Sequence, residues 1–409
     1  MEYTNIVITA ATISGNKGAE GMLQSTIQNI CEVLKNPIFN LLSYYPKEDI
    51  LLNDNKNLKI LDGRPFYLLI ILAPLALIYF VLKKLEIPTA IIEKNKDLDA
   101  LIKSELFIDL SGLSFVDGRT KYLPFNILNI LIPLLLGKKI VKFSQALGPF
   151  NNELNKRCAK FFLPKLDLIV ARGRITKAHL NSLGLTNVII GADVAFSLNV
   201  GHEHLIITEK LMKFNNSKKL IGFAPSSVIE EFCEKKNIDY SQIIADFINI
   251  FISKKDFNIV IVPHSIRKNS KKRKNNDLLI SEKIFRKVEN HERCLLISDE
   301  LDSRELRCII GKCDYFVASR FHSMISSLAM EVPTLVCGWS HKYLEVLEMF
   351  DMEEYCMDYD ELRLDVLLDK IDLIIKNQKE IKSKFEYYLP KVIECSKKPN
   401  EIVKNLLIP

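Results

Sequence analysis

The sequence lacks most of the short signatures that announce a chemistry. No C-x-x-C occurs among its nine cysteines, Cys31, Cys158, Cys233, Cys294, Cys308, Cys313, Cys337, Cys356 and Cys395. An odd, scattered set lying mostly in apolar runs reads as reduced, buried thiols of a cytosolic protein, against a disulfide or zinc framework. G-x-G-x-x-G is absent, which removes the dinucleotide fingerprint, and no G-K-[ST] follows the first glycine-rich turn, which removes the Walker P-loop. H-E-x-x-H and G-x-S-x-G are absent too, so neither a zinc peptidase nor a nucleophile-elbow hydrolase is indicated. Charge of one sign is scarce: a net +6 over 409 residues is mild and implies no nucleic-acid partner. The first residues, MEYTNIVITAAT, have no basic n-region and too short an apolar run for a secretory signal, and read as a first buried strand.

What is present is an alternation of short apolar runs with helix-length stretches. NIVITAA, ELFIDLSG, KIVKFSQALGPF, LDLIVARG and NVIIGADVAF read as strands separated by helices, and a second series runs through KLIGFAPS, FNIVIVPHS, CLLISDE, CDYFVASR and VPTLVCGWS. This is the pattern of parallel sheets covered by helices. It predicts an α/β protein of two Rossmann-like domains facing across a cleft, 1–197 and 198–375, with C-terminal helices over 376–409 packing back on the first domain. Open parallel sheets bind ligands beyond the carboxyl ends of their strands, so the polar clusters at strand ends mark the expected site. The basic stretch KKRKNN at 271–276 reads as a solvated connector, with attraction for phosphate or anionic lipid as the alternative.

The strongest cluster is SRFHSMISSLAM. A buried strand runs into Ser319–Arg320, and a helix starts near His322 with Ser319 or Ser323 able to cap it. A helix N-terminus offers free N–H groups, Arg320 a planar, permanently charged fork, and His322 a proton donor, which together suit a phosphate or carboxylate. The next strand, VPTLVCGWS, delivers Lys342 to the same sheet edge. Capping or surface roles for these residues are the plainer alternative. A second cluster, TISGNKGAEGML, places Gly15, Asn16 and Gly18 in a βα turn before a helix, where glycine permits close backbone approach; a merely tight turn is its alternative. Arg172 and Arg174 follow another strand, with Thr176 as a cap, and His264, Gln145 and Asp193 close others. A metal site is not expected.

One segment complicates the picture. PFYLLIILAPLALIYFVLKKL is uncharged from Phe66 to Leu82 and carries Pro74 in its middle, and LPFNILNILIPLLLGKK is a shorter relative of it. Buried core helices, a membrane span and helices lying in the membrane interface all fit such a composition. The expectation for both segments is interfacial contact without crossing, with Pro74 at a kink between two short helices.

In order along the chain, GNKGAE, SQALGPF, ARGRIT followed by GADVAF, VPHS and SRFHSMISSLAMEVPTLVCGW with Lys342 resemble the polysaccharide pyruvyl transferases. The resemblance runs from residue 5 to about 350. It implies a fold of the glycosyltransferase-B type and transfer of the enolpyruvyl moiety of phosphoenolpyruvate to two sugar hydroxyls, giving a pyruvate ketal. It implies that Arg320 and His322 hold the donor and that Arg172 binds its carboxylate or phosphate, with the first domain on the acceptor side and the second on the donor side; His322, an imidazole whose ordinary pKa lies near working pH, can serve as the general acid. The acceptor is then a sugar of a cell-surface polysaccharide or of its lipid-linked precursor. Phosphoenolpyruvate is a co-substrate and no cofactor is needed; the location is cytoplasmic, with peripheral contact at the inner face of the membrane. Two departures stand out: the family's glycine cluster is reduced to Ser111–Gly112, and Gly173 follows Arg172 where an acidic residue is usual. A metal-free glycosyltransferase using a nucleotide-sugar and a non-catalytic envelope-assembly protein are the rival readings.

Overall fold

The alternating apolar runs form two all-parallel sheets, each covered by helices. The structure, a computed structural model, describes residues 4–201, 211, 214, 218–267, 276–340 and 342–407. The chain forms two units: 4–14, 22–194 and 394–407 make the first, and 15–21 with 195–393 the second. The basic connector at 271–276 lies, up to residue 275, outside the described residues.

The first unit holds β1 (Thr4–Thr9), β2 (Pro37–Ser43), β3 (Leu58–Asp62), β4 (Leu106–Asp109), β5 (Lys139–Gln145), β6 (Leu168–Ala171) and β7 (Val188–Ile190), paired in the order β3-β2-β1-β4-β5-β6-β7. β4 and β6 are buried at every residue, as central strands covered on both faces must be. β2 and β3 escaped the sequence reading. β2 is interrupted by the buried Asn40, and β3 is an edge strand with Lys59 exposed, so neither presents an unbroken apolar run.

The long apolar segment is one continuous helix, Pro65–Lys84, and not two short ones. Pro74 has no N–H for the carbonyl one turn back, and the turn before it, Leu68–Leu72, widens to π geometry, with Ala73 N–H bonded to Leu68 O. A π turn accommodates such a missing bond without breaking the helix. Leu68, Leu72, Ala76 and Tyr79 pack into a core that includes Leu98, Leu101, Leu128 and Ile132. The second apolar segment, helix Leu123–Leu135, buries Leu123, Leu128, Ile130 and Ile132 in that same core, so its apolar character is explained by packing.

The second unit holds β8 (Leu220–Ala224), β9 (Asn258–Ile261), β10 (Cys294–Leu296), β11 (Tyr315–Ala318), β12 (Thr334–Gly338) and β13 (Cys356–Asp358), in the order β10-β9-β8-β11-β12-β13. Chain order reverses between β8 and β11, which makes their carboxyl ends the switch point where such sheets bind ligands. β8 leads there to Ser226 and Ser227, β9 to His264, β11 to Ser319–His322 and β12 to Lys342. Two C-terminal helices follow, Leu364–Lys376 and Gln378–Leu407; the second ends among first-unit residues, with Val403 in that unit's core.

Candidate active site

The second unit gathers most of the expected residues. β11 is buried throughout and stops at Ala318; Arg320 then takes the N-cap position of helix Phe321–Ala329 in extended conformation. Neither serine caps this helix, contrary to expectation. The Ser323 hydroxyl donates to Arg320 O at 2.8 Å, and Ser319, buried, accepts from the Tyr240 hydroxyl at 3.2 Å. Arg320 is held as a fork: Nε donates to Asp277 Oδ2 at 2.7 Å, and Nη2 to Asp277 Oδ1 at 2.5 Å and to Ser227 Oγ at 3.0 Å. Asp277 is wholly buried and also accepts the Ser227 N–H at 2.9 Å. A bidentate buried carboxylate fixes the guanidinium plane and leaves Nη1, which has no hydrogen bond among the described residues, for a ligand.

His322 sits on the first turn of that helix, packed directly on Gly18. A Cβ at Gly18 would fall 2.1 Å from His322 Nδ1, so only glycine allows the approach. The turn that carries Gly18 is fixed locally. Asn16 Oδ1 accepts the N–H groups of Gly18 and Ala19 and caps helix Lys17–Val33, Asn16 bridges to Ser265, and Gly15, at φ +74°, accepts the Ile266 N–H at 3.1 Å. The glycine turn and the segment after β9 are therefore one structure, which also brings in His264.

His264 is 4% exposed, and its Nε2 has no hydrogen-bond partner among the described residues. Burial pushes its pKa down to about 3, reinforced by the charges of His322, Arg320 and Arg307. It is a neutral imidazole at physiological pH. His264 and His322 line a small pocket with Lys17, Gly18, Ser303 and Arg307. Arg307 is 2% exposed and donates to Leu198 O and Ala195 O at 3.0 and 2.6 Å; Lys17 pairs with Glu20 at 2.9 Å, both buried. Lys342, 9% exposed, begins helix Lys342–Leu347 and lies 4.8 Å from the Phe321 ring centroid and 4.7 Å from that of Trp339, an aromatic seat that holds a cation by its ring quadrupoles.

Lys17, Arg307 and Asp277 with Ser227 were missed by sequence reasoning. Lys17 stood inside the quoted GNKGAE. Arg307 had a weak signal, a lone cation on the apolar side of an amphipathic helix, Ser303–Ile310. Asp277, at the first position of a helix, looks like an ordinary N-terminal acid.

Arg172 and Gln145 belong to the first unit. Arg172, 1% exposed, closes β6; its Nε donates to Ser144 O at 2.9 Å and lies 3.2 Å from Asp193 Oδ2. Its N–H bonds Gln145 O at 3.0 Å. Gln145 Nε2 donates to Asp109 O at 2.7 Å, while its Oε1 accepts from Ser114 and from Lys142, which is ion-paired with Asp109. Arg174 is exposed, and Thr176 lies inside helix Arg174–Ser182, whose N-cap is Gly173, so it does not cap.

A sequence model of the family described as polysaccharide pyruvyl transferase matches residues 16–341. The amylovoran biosynthesis protein AmsJ of Erwinia amylovora is 23% identical over 293 residues, 69% of this chain and 68% of that protein. Among solved structures, MnaA of S. aureus, solved with UDP, has a TM-score of 0.60 at 14% identity over 99% of this chain and 97% of that one. A glycosyltransferase from Rickettsia africae has 0.56 at 13% over 100% and 99%. These likenesses carry the fold, two parallel α/β sheets of the glycosyltransferase-B kind.

Proposed function

The chain belongs to the polysaccharide pyruvyl transferase family, a transferase family of polysaccharide biosynthesis, and from that premise we propose that it moves the enolpyruvyl group of phosphoenolpyruvate onto two hydroxyls of a sugar, forming a pyruvate ketal and releasing phosphate. The observation that carries the reading is the pairing of two unlike imidazoles in a cation-lined pocket. His264 is held neutral by burial, while His322 stands on a helix start against Gly18, with Lys17 and Arg307 in the same wall.

The reaction asks for several cationic or N–H donors to hold a phosphate and a carboxylate, and for one proton delivered to the vinyl methylene carbon. Arg320 offers its free Nη1 edge and Lys342 a fixed ammonium. His322 delivers the proton, since an imidazole's ordinary pKa lies near working pH, whereas His264, held neutral, is not an imidazolium and is far too weak an acid to give one. The oxocarbenium-like carbon so formed accepts a sugar hydroxyl. Its carbon–oxygen bond to phosphate breaks, and a second hydroxyl closes the ketal; the two hydroxyl protons balance the proton consumed and the one carried off by phosphate.

The test is a donor screen with the purified chain and isolated polysaccharide. Phosphate release that requires both phosphoenolpyruvate and acceptor supports the reading. Nucleotide release from a nucleotide-sugar would replace it with glycosyl transfer, and turnover of neither would point to an assembly protein.

A further inference from the structure

The first unit carries a surface that the chemistry does not use. Along helix Pro65–Lys84, the side chains Leu68, Leu72, Ala76 and Tyr79 recur every three or four residues and face the core. The opposite side is apolar as well. Phe66 is 76% exposed, Leu69 and Ile70 54% each, and Leu77, Ile78 and Val81 are exposed with them. A surface helix ordinarily turns charge outward on this side; here no charge occurs from Phe66 to Leu82. Just beyond, Leu85 and Ile91 continue the face at 63% and 81% exposure.

The C-terminal end of the helix is basic. Lys83 and Lys84 are exposed at its C-terminus. Lys138 is their neighbour: burial lowers its amine, and the nearby Lys83 charge adds to that shift. At the N-terminus the exposed Arg64 is paired with Asp62 at 2.5 Å, so the uncompensated positive charge lies at the C-terminal end. A protein partner would need roughly one hydrogen bond per 100–200 Å², and the exposed side chains Phe66, Leu69, Ile70, Leu77, Ile78 and Val81 hold no polar atom to make one. Aliphatic side chains bordered by ammonium groups fit instead the boundary between acyl chains and anionic headgroups.

We propose that helix Pro65–Lys84 docks the first unit on an anionic bilayer, lying in the interface with its outer face among the acyl chains and without crossing. By length and composition the helix is able to span a membrane, but a span would strip Leu68, Leu72, Ala76 and Tyr79 from the core they complete. The proposal goes beyond the pyruvyl transfer reading and stands without it.

Flotation of the full-length protein with phosphatidylcholine vesicles, with and without phosphatidylglycerol, is the experiment. The chain is expected to float with the anionic vesicles, more weakly in high salt, and to be released by carbonate. I70E/L77E, both outward, is expected to cut partitioning at least ~100-fold, since each replaced side chain forfeits roughly a tenfold share of apolar burial. K83Q/K84Q is expected to cut it roughly fivefold per lysine, and it keeps the test decisive if the glutamate variant's thermal melt departs from wild type. Failure of the wild-type chain to float, or unchanged flotation of both variants, overturns the proposal. Retention through carbonate overturns it in favour of a span, and a lipid-free dimer made monomeric by I70E/L77E overturns it in favour of a second copy of the chain.

Discussion

Replacing Gly18 with alanine tests how the candidate active site is assembled. The new Cβ would lie 2.1 Å from His322 Nδ1, 2.4 Å from its Cγ and 2.8 Å from its Cβ. Ordinary contact begins near 3.4 Å, so the imidazole must retreat by at least about 1.3 Å. Because the ring's own Cβ is also within 2.8 Å, swinging the ring about its χ angles does not relieve the overlap by itself. Misplacing a reacting group by ~1 Å costs about 10²-fold in rate, and complete loss of a general acid costs about 10²–10⁴-fold; turnover of Gly18→Ala is expected to fall within that span. Stability should change far less, because about 1–3 kcal/mol of overpacking is partly offset by roughly 1 kcal/mol of helix propensity gained over glycine. Gly21→Ala, three residues further along the same helix, is the control for stability: its Cβ would meet Ser303 at 3.5 Å, ordinary contact, so the melting point should hold or rise. Phosphate release and a thermal melt on both proteins decide the matter. A Gly18→Ala enzyme that turns over like wild type would refute the placement of His322 as the proton donor.

Other expectations follow from the same contacts. His322→Asn should bind phosphoenolpyruvate with near wild-type affinity in calorimetry yet lose about 10²–10⁴ in rate; a surviving rate would move the proton donor elsewhere. Arg320→Lys should lose turnover in a folded protein, because a point charge cannot reproduce the fork on Asp277 and Ser227. Asp277→Asn should cost about 1–3 kcal/mol in urea unfolding by leaving the half-buried Arg320 without its counter-charge; an unchanged unfolding free energy would show the pair to be dispensable. For His264, the folded pKa of about 3 lies below the unfolded value of 6.5, so the unfolded chain takes up the proton first. Stability should then fall as pH drops from 6.5 toward 3, by up to about 1.4 kcal/mol per pH unit from this group. The difference between wild type and His264→Gln in unfolding free energy should shrink across that window, and parallel pH profiles would contradict the buried neutral imidazole.

Much of this was legible in the chain, for local reasons. CDYFVASR before FHSMISSLAM announces a strand, a turn and a helix, because an apolar run of four ends in polar residues that no central strand would bury. GNKGAE announces a βα turn because Gly15 needs positive φ. What was not legible is what tertiary packing decides. That Gly18 and His322 touch, 304 residues apart by their numbers, leaves no periodic trace. Asp277 holds Arg320 from a helix start where acids are common for another reason, the macrodipole. The serines read as caps turned elsewhere because Arg320 took the capping position in extended backbone and Ser323 found its carbonyl. The two apolar segments looked alike in composition; only packing separates helix Leu123–Leu135, largely buried, from helix Pro65–Lys84, half of whose surface is open.

The most direct test of the central claim is the nuclear magnetic resonance spectrum of the surface polysaccharide from cells carrying either the wild-type chain or His322→Asn. The account predicts the methyl signal of a pyruvate ketal in the first and its loss in the second, with the sugar composition unchanged and the repeat unit lighter by one pyruvic acid less one water. An equal ketal signal in both polysaccharides, or a missing sugar residue in place of a missing ketal, would contradict it.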